Sequence, residues 1–304
     1  MIEEIRFRVG QKVEVISDKD HFFLEKIVTP RNIRTVLNKL TGYSLYAYEE
    51  ELKHGFFTVE GGHRVGVVGH VNRKLETLSD IGGLNIRVSH ECIGCASEIV
   101  PYIQREGSIL NTLYVSPPGV GKTTYLRDTI RVISNMGIKV GVVDERSEIG
   151  AFYKGACQND LGKCTDILDN CKKTDGMRML LRSMSPRVIA VDELGGKEDI
   201  RAVNEILYSG VSLIGTVHAY SVEELYEKPF VKELLMNKSI KRIVLFKKEK
   251  EKRSFRIYDT ETDRFIFHYD GSLGNDLEKE RPDAEEGKEK SGSHRDFATF
   301  ILDF

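Results

Sequence analysis

The sequence predicts an α/β protein in which a mainly parallel sheet carries helices on both faces. Between residues 109 and 246, short apolar segments alternate with segments of helical pattern. One apolar segment, Leu113 to Val115, runs into a glycine-rich turn and then into a helical segment. A second, 188–191, ends in two adjacent acids. Sheets of this kind place their ligand sites at the carboxyl ends of the strands, so these two junctions form the candidate site.

A small α+β domain is predicted for residues 1–90. Thr29-Pro30 has the pattern of a helix N-cap followed by proline at the first helical position. Gly61-Gly62 separates two apolar segments and favours the positive φ angles of a two-residue hairpin turn. The predicted elements are a hairpin over 4–16 around Gly10-Gln11, helices over 30–40 and 45–52, and strands over 56–60, 63–71 and 84–88.

A connector over 91–108 leads into the second predicted domain, 109–269. Its strands are predicted at 110–115, 139–143, 187–191, 211–217 and 242–246, and its helices at 122–136, 174–184, 198–208 and 221–236. Residues 240–269 predict a C-terminal β-meander with turns at 247–253 and 259–263.

The last segment, 270–304, is rich in Gly, Ser, Glu and Lys and lacks aromatic residues before Phe297. Such a composition buries too little apolar area to offset the entropy of ordering, so the segment is predicted to be disordered. Its apolar end, 297–304, has two interpretations. It is a docking peptide for a partner, or it folds back on a groove of its own domain.

Composition and charge narrow the function classes. The chain has 304 residues and a formal net charge of −2, which gives no overall electrostatic case for binding nucleic acid or an anionic membrane. No apolar run is long enough to span a bilayer, and the acidic start does not resemble a signal peptide. We therefore expect a cytoplasmic protein that reaches membranes through partners. Cys92 and Cys95 form a C-x-x-C without the second pair that a zinc site needs, and are interpreted as ordinary thiols.

The glycine-rich turn has the pattern of a phosphate-binding loop. A strand, a glycine loop and a helix N-terminus in this order turn backbone N–H groups and the helix dipole toward an anion. Lys122 is expected to reach the β- and γ-phosphates of ATP, and the Thr123 hydroxyl to ligate Mg²⁺. The first position of the pattern, usually glycine, is Ser116. The predicted nucleotide-binding residues are Ser116, Pro117, Pro118, Gly119, Val120, Gly121, Lys122, Thr123 and Thr124.

Acids at two other strand ends favour hydrolysis over simple nucleotide binding. Asp192 is expected to hold Mg²⁺ beside Thr123, and Glu193 to polarise the water that attacks the γ-phosphate. Glu145 and Arg146 follow the second strand, where the carboxylate would order water or metal and the arginine would bridge to phosphate or to Glu193.

A histidine completes the candidate catalytic set. His218 ends the fourth strand, within Gly215-Thr216-Val217-His218. Thr216 and His218 are expected to hydrogen-bond the γ-phosphate or the catalytic glutamate and so to sense the bound state.

The assembled motifs resemble one bacterial family. The matching stretches are GGHRVGVVGH at 61–70, LNIRVSHE at 84–91, SPPGVGKTTYLRD at 116–128, VGVVDERSEIG at 140–150, QNDLGKCTDILDNCKKTDGM at 158–177 and RSMSPRVIAVDELGGKED at 182–199. Together they are similar to the stage III sporulation protein AA family, which comprises ATPases of a sporulation channel related to those of type II and type IV secretion. SPPG is this family's own form of the loop, which accounts for Ser116.

The resemblance implies a RecA-like P-loop NTPase core and assigns residue roles. Lys122 and Thr123 match the phosphate loop, 144–146 the acidic box and 215–218 the histidine box of secretion ATPases. It also implies a homo-oligomeric ring of six subunits with nucleotide between them, in which arginines such as Arg64 and Arg87 reach the phosphates. Its implied partners are the membrane channel proteins of the sporulation complex, on the mother-cell side.

Three functions remain open at this stage. The leading one is a mechanical ATPase that energises assembly of, or transport through, a membrane channel. The second is a nucleic-acid motor or loader on the same core, which the N-terminal domain disfavours because its arginines lack interleaved aromatic residues for base stacking. The third is a nucleotide-gated scaffold with negligible turnover.

Overall fold

The computed structural model describes residues 1–17, 19–53, 55–72, 77–249 and 252–271, together with 297, 299, 301 and 302. These residues form two compact units. The first holds Met1–His90, Ala151–Gln158 and the described residues from 297 onward, and the second holds Glu91–Gly150 and the chain from Asn159 through the meander. No helix among the described residues is long and apolar enough to cross a membrane.

The first unit is built on a six-stranded antiparallel sheet with strand order β3-β2-β1-β6-β5-β4. Its elements are β1 (Ile2–Arg8), β2 (Lys12–Ser17), β3 (His21–Ile27), α1 (Pro30–Leu40), a 3₁₀ helix (Leu45–Tyr48), α2 (Glu49–Lys53), β4 (Phe56–Val59), β5 (His63–Asn72) and β6 (Thr77–Arg87). Helix α1 begins as the sequence predicts. The Thr29 hydroxyl accepts the Asn32 backbone N–H at 3.2 Å, and Pro30 occupies the first helical turn.

The apolar C-terminal segment packs back onto this first unit. Ile301 is fully buried in the same core as Ile5, Phe7 and Val65. The Phe297 ring lies 3.9 Å from the His63 ring, centroid to centroid. Of the two interpretations of this segment, the structure therefore has the intramolecular one, with the N-terminal unit as the receiving surface. Residues 272–296, within the segment predicted to be disordered, lie outside the described residues.

The second unit is built on an eight-stranded sheet with order β13-β10-β14-β15-β9-β16-β17-β18. In chain order the remaining elements are α3 (Val100–Ile103), β7 (Gln104–Arg105), β8 (Ser108–Ile109), β9 (Thr112–Ser116), α4 (Lys122–Asn135), β10 (Val140–Asp144), β11 (Phe152–Tyr153), β12 (Ala156–Cys157), β13 (Thr165–Asp169), α5 (Lys173–Ser183), β14 (Val188–Val191), α6 (Lys197–Tyr208), β15 (Ser212–His218), α7 (Val222–Glu227), α8 (Pro229–Met236), β16 (Arg242–Glu249), β17 (Lys252–Asp259) and β18 (Arg264–Tyr269). The short β11–β12 hairpin belongs to the first unit.

In this spatial order, the first six strands, from β13 to β16 and including β10 and β9, are parallel. Strands β16, β17 and β18 form the antiparallel meander. Successive side chains of a strand point to opposite faces. On β9, Leu113 and Val115 join the core formed with α5, α6 and α8, whereas the Tyr114 hydroxyl contacts the Thr129 hydroxyl of α4 at 2.6 Å. Helices therefore cover both faces, which confirms the predicted α/β class with its C-terminal meander.

In the first unit, the strand predicted over 84–88 is the end of the longer β6, and the helix predicted over 45–52 is the 3₁₀ helix followed by α2. Two predicted elements of the second unit also differ from those observed. The helix predicted over 221–236 is two helices, because Pro229 has no N–H to continue α7 and instead begins α8. The lysine-rich stretch predicted as a turn is strand for most of its length, since β16 continues to Glu249 and pairs there with Lys252. The intervening residues, 250–251, lie outside the described part of the chain.

Candidate functional site

The phosphate loop follows β9 and ends where α4 begins. Gly119 and Gly121 have φ angles of +76° and +111°, a region that side-chain-bearing residues rarely adopt. A Cβ on Gly119 would meet no atom within 4 Å, so the chain leaves open space at this point of the loop. The loop therefore has the left-handed backbone turns of an anion-binding loop and open space beside Gly119.

Lys122, the first residue of α4, turns its side chain back into the loop and is only 6% exposed. Its Nζ donates to the carbonyl oxygens of Ser116 at 3.0 Å and Pro117 at 3.2 Å, and to the Ser116 hydroxyl at 3.1 Å. Burial lowers the pKa of Lys122, against the attraction of Asp192 and Glu193. Ser116 thus supplies a side-chain contact that glycine at this position would lack.

Asp192, directly after β14, connects the loop to the neighbouring strand β15. Its Oδ2 accepts from the Thr123 hydroxyl at 2.8 Å, and its Oδ1 accepts from the buried Thr216 hydroxyl. The Thr216 oxygen in turn accepts the Glu193 backbone N–H at 2.8 Å. The two threonines therefore fix both carboxylate oxygens of Asp192 and the start of the Glu193 turn.

Glu193 lies between a histidine and an arginine. Its Oε2 is 2.6 Å from Arg146 Nη1, and its Oε1 is 3.4 Å from His218 Nε2. The other ring nitrogen of His218, Nδ1, is 2.9 Å from Lys122 Nζ. Because the ammonium group can only donate, Nδ1 accepts, and the ring proton lies on Nε2 facing Glu193. Of the two contacts predicted for Arg146, the one with Glu193 is present, and the one with phosphate stays a prediction.

The loop that carries Arg146 is shaped by Asp144, the last residue of β10. Asp144 is 1% exposed and accepts backbone N–H groups from Glu148, Ile149 and Gly150 at 2.9, 2.8 and 2.8 Å. Burial raises the pKa of Asp144 to about 6, although the three amide donors oppose that rise. Glu145 faces elsewhere, because its carboxylate pairs with Lys173 of α5.

The residues present fit a magnesium–nucleotide complex. Mg²⁺ prefers hard oxygen ligands and in such sites uses one or two protein groups together with phosphates and water. The Thr123 hydroxyl and the Asp192 carboxylate are such ligands, and they already lie in contact beside the open glycine loop.

The structure places the remaining predicted residues as follows. Thr124 lines a cleft on the side of α4 together with Arg127. In the first unit, the Arg64 guanidinium lies over the Phe56 ring at 3.6 Å, and Arg87 is 3.8 Å from Glu4. A contact between either arginine and the phosphates of a nucleotide stays a prediction.

Sequence reasoning missed one cation beside the loop. The Arg253 guanidinium of β17 lies 3.6 Å from the position that a Cβ on Gly121 would occupy. Nothing in the sequence distinguished this arginine from its lysine-rich neighbours, because its position depends on the pairing of β17 with β16.

Comparisons with known proteins identify the family. A family model described as Sporulation stage III, protein AA, matches residues 1–265. Stage III sporulation protein AA of Bacillus subtilis (strain 168) is 42% identical over 241 residues, which cover 77% of this chain and 78% of that protein.

Solved structures are similar in fold at low sequence identity. The Yersinia pseudotuberculosis ATPase DotB matches with a TM-score of 0.62 and 12% identity, over 100% of this chain and 83% of that chain. The pilus retraction motor PilT, solved with bound ADP, matches with a TM-score of 0.55 and 14% identity, over 81% of this chain and 74% of that chain. The fold is thus that of the RecA-like P-loop secretion ATPases.

Proposed function

This chain belongs to the Sporulation stage III, protein AA family, and on that premise we propose that it is a Mg²⁺-dependent ATPase of the secretion type. The observation that carries the proposal is an unbroken line of contacts from Lys122 through His218 and Glu193 to Arg146. A lysine that only stabilised the loop would not require contacts with a histidine and a glutamate. A site that binds the γ-phosphate and positions a water molecule beside it would require them.

Binding begins with an exchange of partners at Lys122. Its ammonium group is held by two carbonyl oxygens, a hydroxyl and the accepting nitrogen of His218, none of which is negatively charged. Phosphate oxygens are stronger acceptors because in their bonds to an ammonium group both partners are ionised. The backbone N–H groups at the start of α4 attract the same anion. Thr123 and Asp192 would hold Mg²⁺, which would supply neutralisation of the phosphate charge when bound.

The chemical step rests on Glu193. Its carboxylate orients and polarises the attacking water, and its reactivity depends on what competes for its oxygens. Arg146 occupies one oxygen at 2.6 Å, whereas the His218 contact at 3.4 Å is long. We infer that Arg146 turns from Glu193 to a phosphate oxygen when the site fills, which frees the carboxylate for water. His218 then links the state of Lys122 to the orientation of Glu193.

The work that ATP hydrolysis performs is inferred from the family to which the chain belongs. We propose that a homo-oligomeric ring of six subunits, in the mother-cell cytoplasm, uses ATP to energise assembly of or transport through a membrane channel made by partner proteins. In this ring, Arg64 or Arg87 of a neighbour reaches the phosphates. The same ring contacts the membrane through those partners.

Isosteric glutamate substitutions test the proposal. Glu193→Gln keeps the size of the side chain, so nucleotide affinity should stay within a few-fold of wild type while the hydrolysis rate falls by about 10²–10⁴. Glu198→Gln, on an exposed position of α6, is the matched control and should hydrolyse ATP normally. Equilibrium binding of a fluorescent ATP analogue and release of inorganic phosphate measure the two quantities.

Two outcomes would reject the proposal in different ways. Equal, very slow phosphate release by wild type and Glu193→Gln would indicate a nucleotide-gated scaffold. Hydrolysis that requires single-stranded nucleic acid and disappears steeply with salt would indicate a nucleic-acid motor.

A further inference from the structure

The connector before β9 holds two cysteines in a turn that is fastened to helix α4. Cys92 is exposed and Cys95 is partly buried, and Gly94 between them has a φ angle of +87°. The backbone N–H groups of Gly94 and Ala96 donate to the two oxygens of Asp128, at 3.1 and 2.7 Å. Asp128 is 4% exposed, so this is a buried carboxylate that holds the turn in one geometry.

The turn brings the two thiols together. Cys92 and Cys95 stand three residues apart in this turn, and their thiols interact, with Cys95 as the donor. That bond, helped by the charges of Arg253 and Arg127 and opposed by burial, lowers the pKa of Cys92 to about 7. The same bond raises the pKa of Cys95, and burial raises it further. One thiol is therefore exposed and easily ionised, and the other stays protonated beside it.

Both thiols lie in a charged environment beside helix α4, to which Asp128 fastens their turn. The titratable and charged groups that face Cys92 are Cys95, Asp128, Arg127, Arg253, Tyr125 and Tyr269. Glu91, Asp160 and Arg131 line the same cleft. The charge of Arg253, the cation that also lies beside Gly121 of the loop, favours the Cys92 thiolate, and the charge of Asp128 opposes it.

We propose that Cys92 and Cys95 form a reversible redox site whose oxidising substrate is a low-molecular-weight disulfide. The Cys92 thiolate attacks one sulfur of the substrate R–S–S–R, forms a mixed disulfide and releases one RS⁻, which takes up a proton. Cys95 then loses its proton and its sulfur attacks Cys92, which forms the Cys92–Cys95 bond and releases the second RS⁻. Two protein thiols are oxidised and one disulfide is reduced to two thiols.

The first experiment measures whether the intramolecular bond forms. The full-length, reduced chain is equilibrated with mixtures of oxidised and reduced glutathione, quenched in acid, alkylated and analysed by peptide mass spectrometry. The 92–95 peptide should lose two hydrogens and become resistant to alkylation, whereas Cys171 should at most form a mixed disulfide. Absence of the 92–95 bond in fully oxidised glutathione, with folding confirmed by circular dichroism, would overturn the proposal.

The second experiment measures which thiol attacks. Alkylation by iodoacetamide as a function of pH should give Cys92 a midpoint near pH 7 and, at that pH, a rate about 3- to 10-fold above that of Cys171. The rate advantage is smaller than the difference in thiolate fraction because nucleophilicity falls with pKa. Burial raises the pKa of Cys171, which makes it a suitable internal reference.

A matched pair of variants separates the specific arrangement from a general environment. Cys95→Ala removes the hydrogen bond and should move the Cys92 midpoint up by about one pH unit, toward the ordinary thiol pKa of ~8.5. Cys171→Ala should leave the Cys92 midpoint unchanged. A Cys92 midpoint equal to that of Cys171 in the unsubstituted chain, or one unaffected by Cys95→Ala, would contradict the assignment of Cys92 as the attacking thiol.

Discussion

One buried hydroxyl, that of Thr216, holds the two acids of the site in place, and removing it has calculable consequences. Thr216 is fully buried, donates to Asp192 Oδ1 and accepts the Glu193 backbone N–H at 2.8 Å. Valine has nearly the same shape and offers neither contact. Thr216→Val therefore removes two hydrogen bonds without opening a cavity.

The magnitude follows from the two bonds. A hydrogen bond to a charged group contributes about 1.5–3 kcal/mol and a neutral one about 1 kcal/mol. The Glu193 N–H keeps a second acceptor, Asp192 Oδ1 at 3.1 Å, so part of the neutral bond survives. We expect Thr216→Val to lower the free energy of unfolding by about 2–4 kcal/mol, which corresponds to a fall in Tm of roughly 5–15 °C.

Two assays measure this prediction. The chain has no tryptophan, so unfolding is followed by circular dichroism or calorimetry rather than by indole fluorescence. The half-saturating Mg²⁺ concentration for ATP hydrolysis should rise about 10- to 100-fold, because Thr216 orients the carboxylate expected to hold the metal.

Thr216→Ser is the matched control. It retains the hydroxyl and loses one methyl group, so it should cost only about 1 kcal/mol and keep the Mg²⁺ requirement near that of wild type. Equal stability of the valine and serine variants, together with equal Mg²⁺ requirements, would refute the reasoning.

Two further predictions concern groups away from Glu193. Because burial raises the pKa of Asp144 to about 6, the folded chain binds this proton more tightly than the unfolded chain, and the contribution to stability grows as the pH falls below 6. Between pH 7 and pH 5, the free energy of unfolding of wild type should therefore rise by about 1.4 kcal/mol relative to that of Asp144→Asn. Denaturation curves measured at both pH values test this, and equal shifts for the two proteins would contradict it. Ile301 is fully buried in the first unit, so Ile301→Ala should cost about 2–5 kcal/mol in thermal unfolding. Val71→Ala, at a position 59% exposed, should be nearly neutral, and similar losses for both variants would argue against burial of the C-terminal segment.

The parts of the fold and site that the sequence predicted are those fixed by local chemistry. Gly119 and Gly121 at left-handed positions, an apolar strand before them and a helix after them determine the loop almost independently of the rest of the chain. The sequence also predicted that Asp192 and His218 lie beside that loop, because the carboxyl ends of parallel strands lie at one edge of the sheet. His218 pairs in register with Ser116 across β15 and β9.

The parts that the sequence did not predict depend on pairing between distant segments. Glu145 carries the same charge as Glu193, and only the position of α5 shows that Lys173 neutralises it. Arg253 reaches Gly121 through the register of β17 on β16, the strand that neighbours β9. Strand β13 escaped prediction because TDILD has a short, weakly apolar pattern, and its strand character comes from pairing with β10.

The measurement that tests the central claim most directly is release of inorganic phosphate from ATP by the purified chain, with and without Mg²⁺, compared with Lys122→Ala. Lys122, whose ammonium group is held inside the loop, is the group proposed to bind phosphate, so its removal should abolish nucleotide binding and phosphate release together. We expect Mg²⁺-dependent release by wild type and none above background by Lys122→Ala. Release that is unchanged in Lys122→Ala, or indifferent to Mg²⁺, would contradict it.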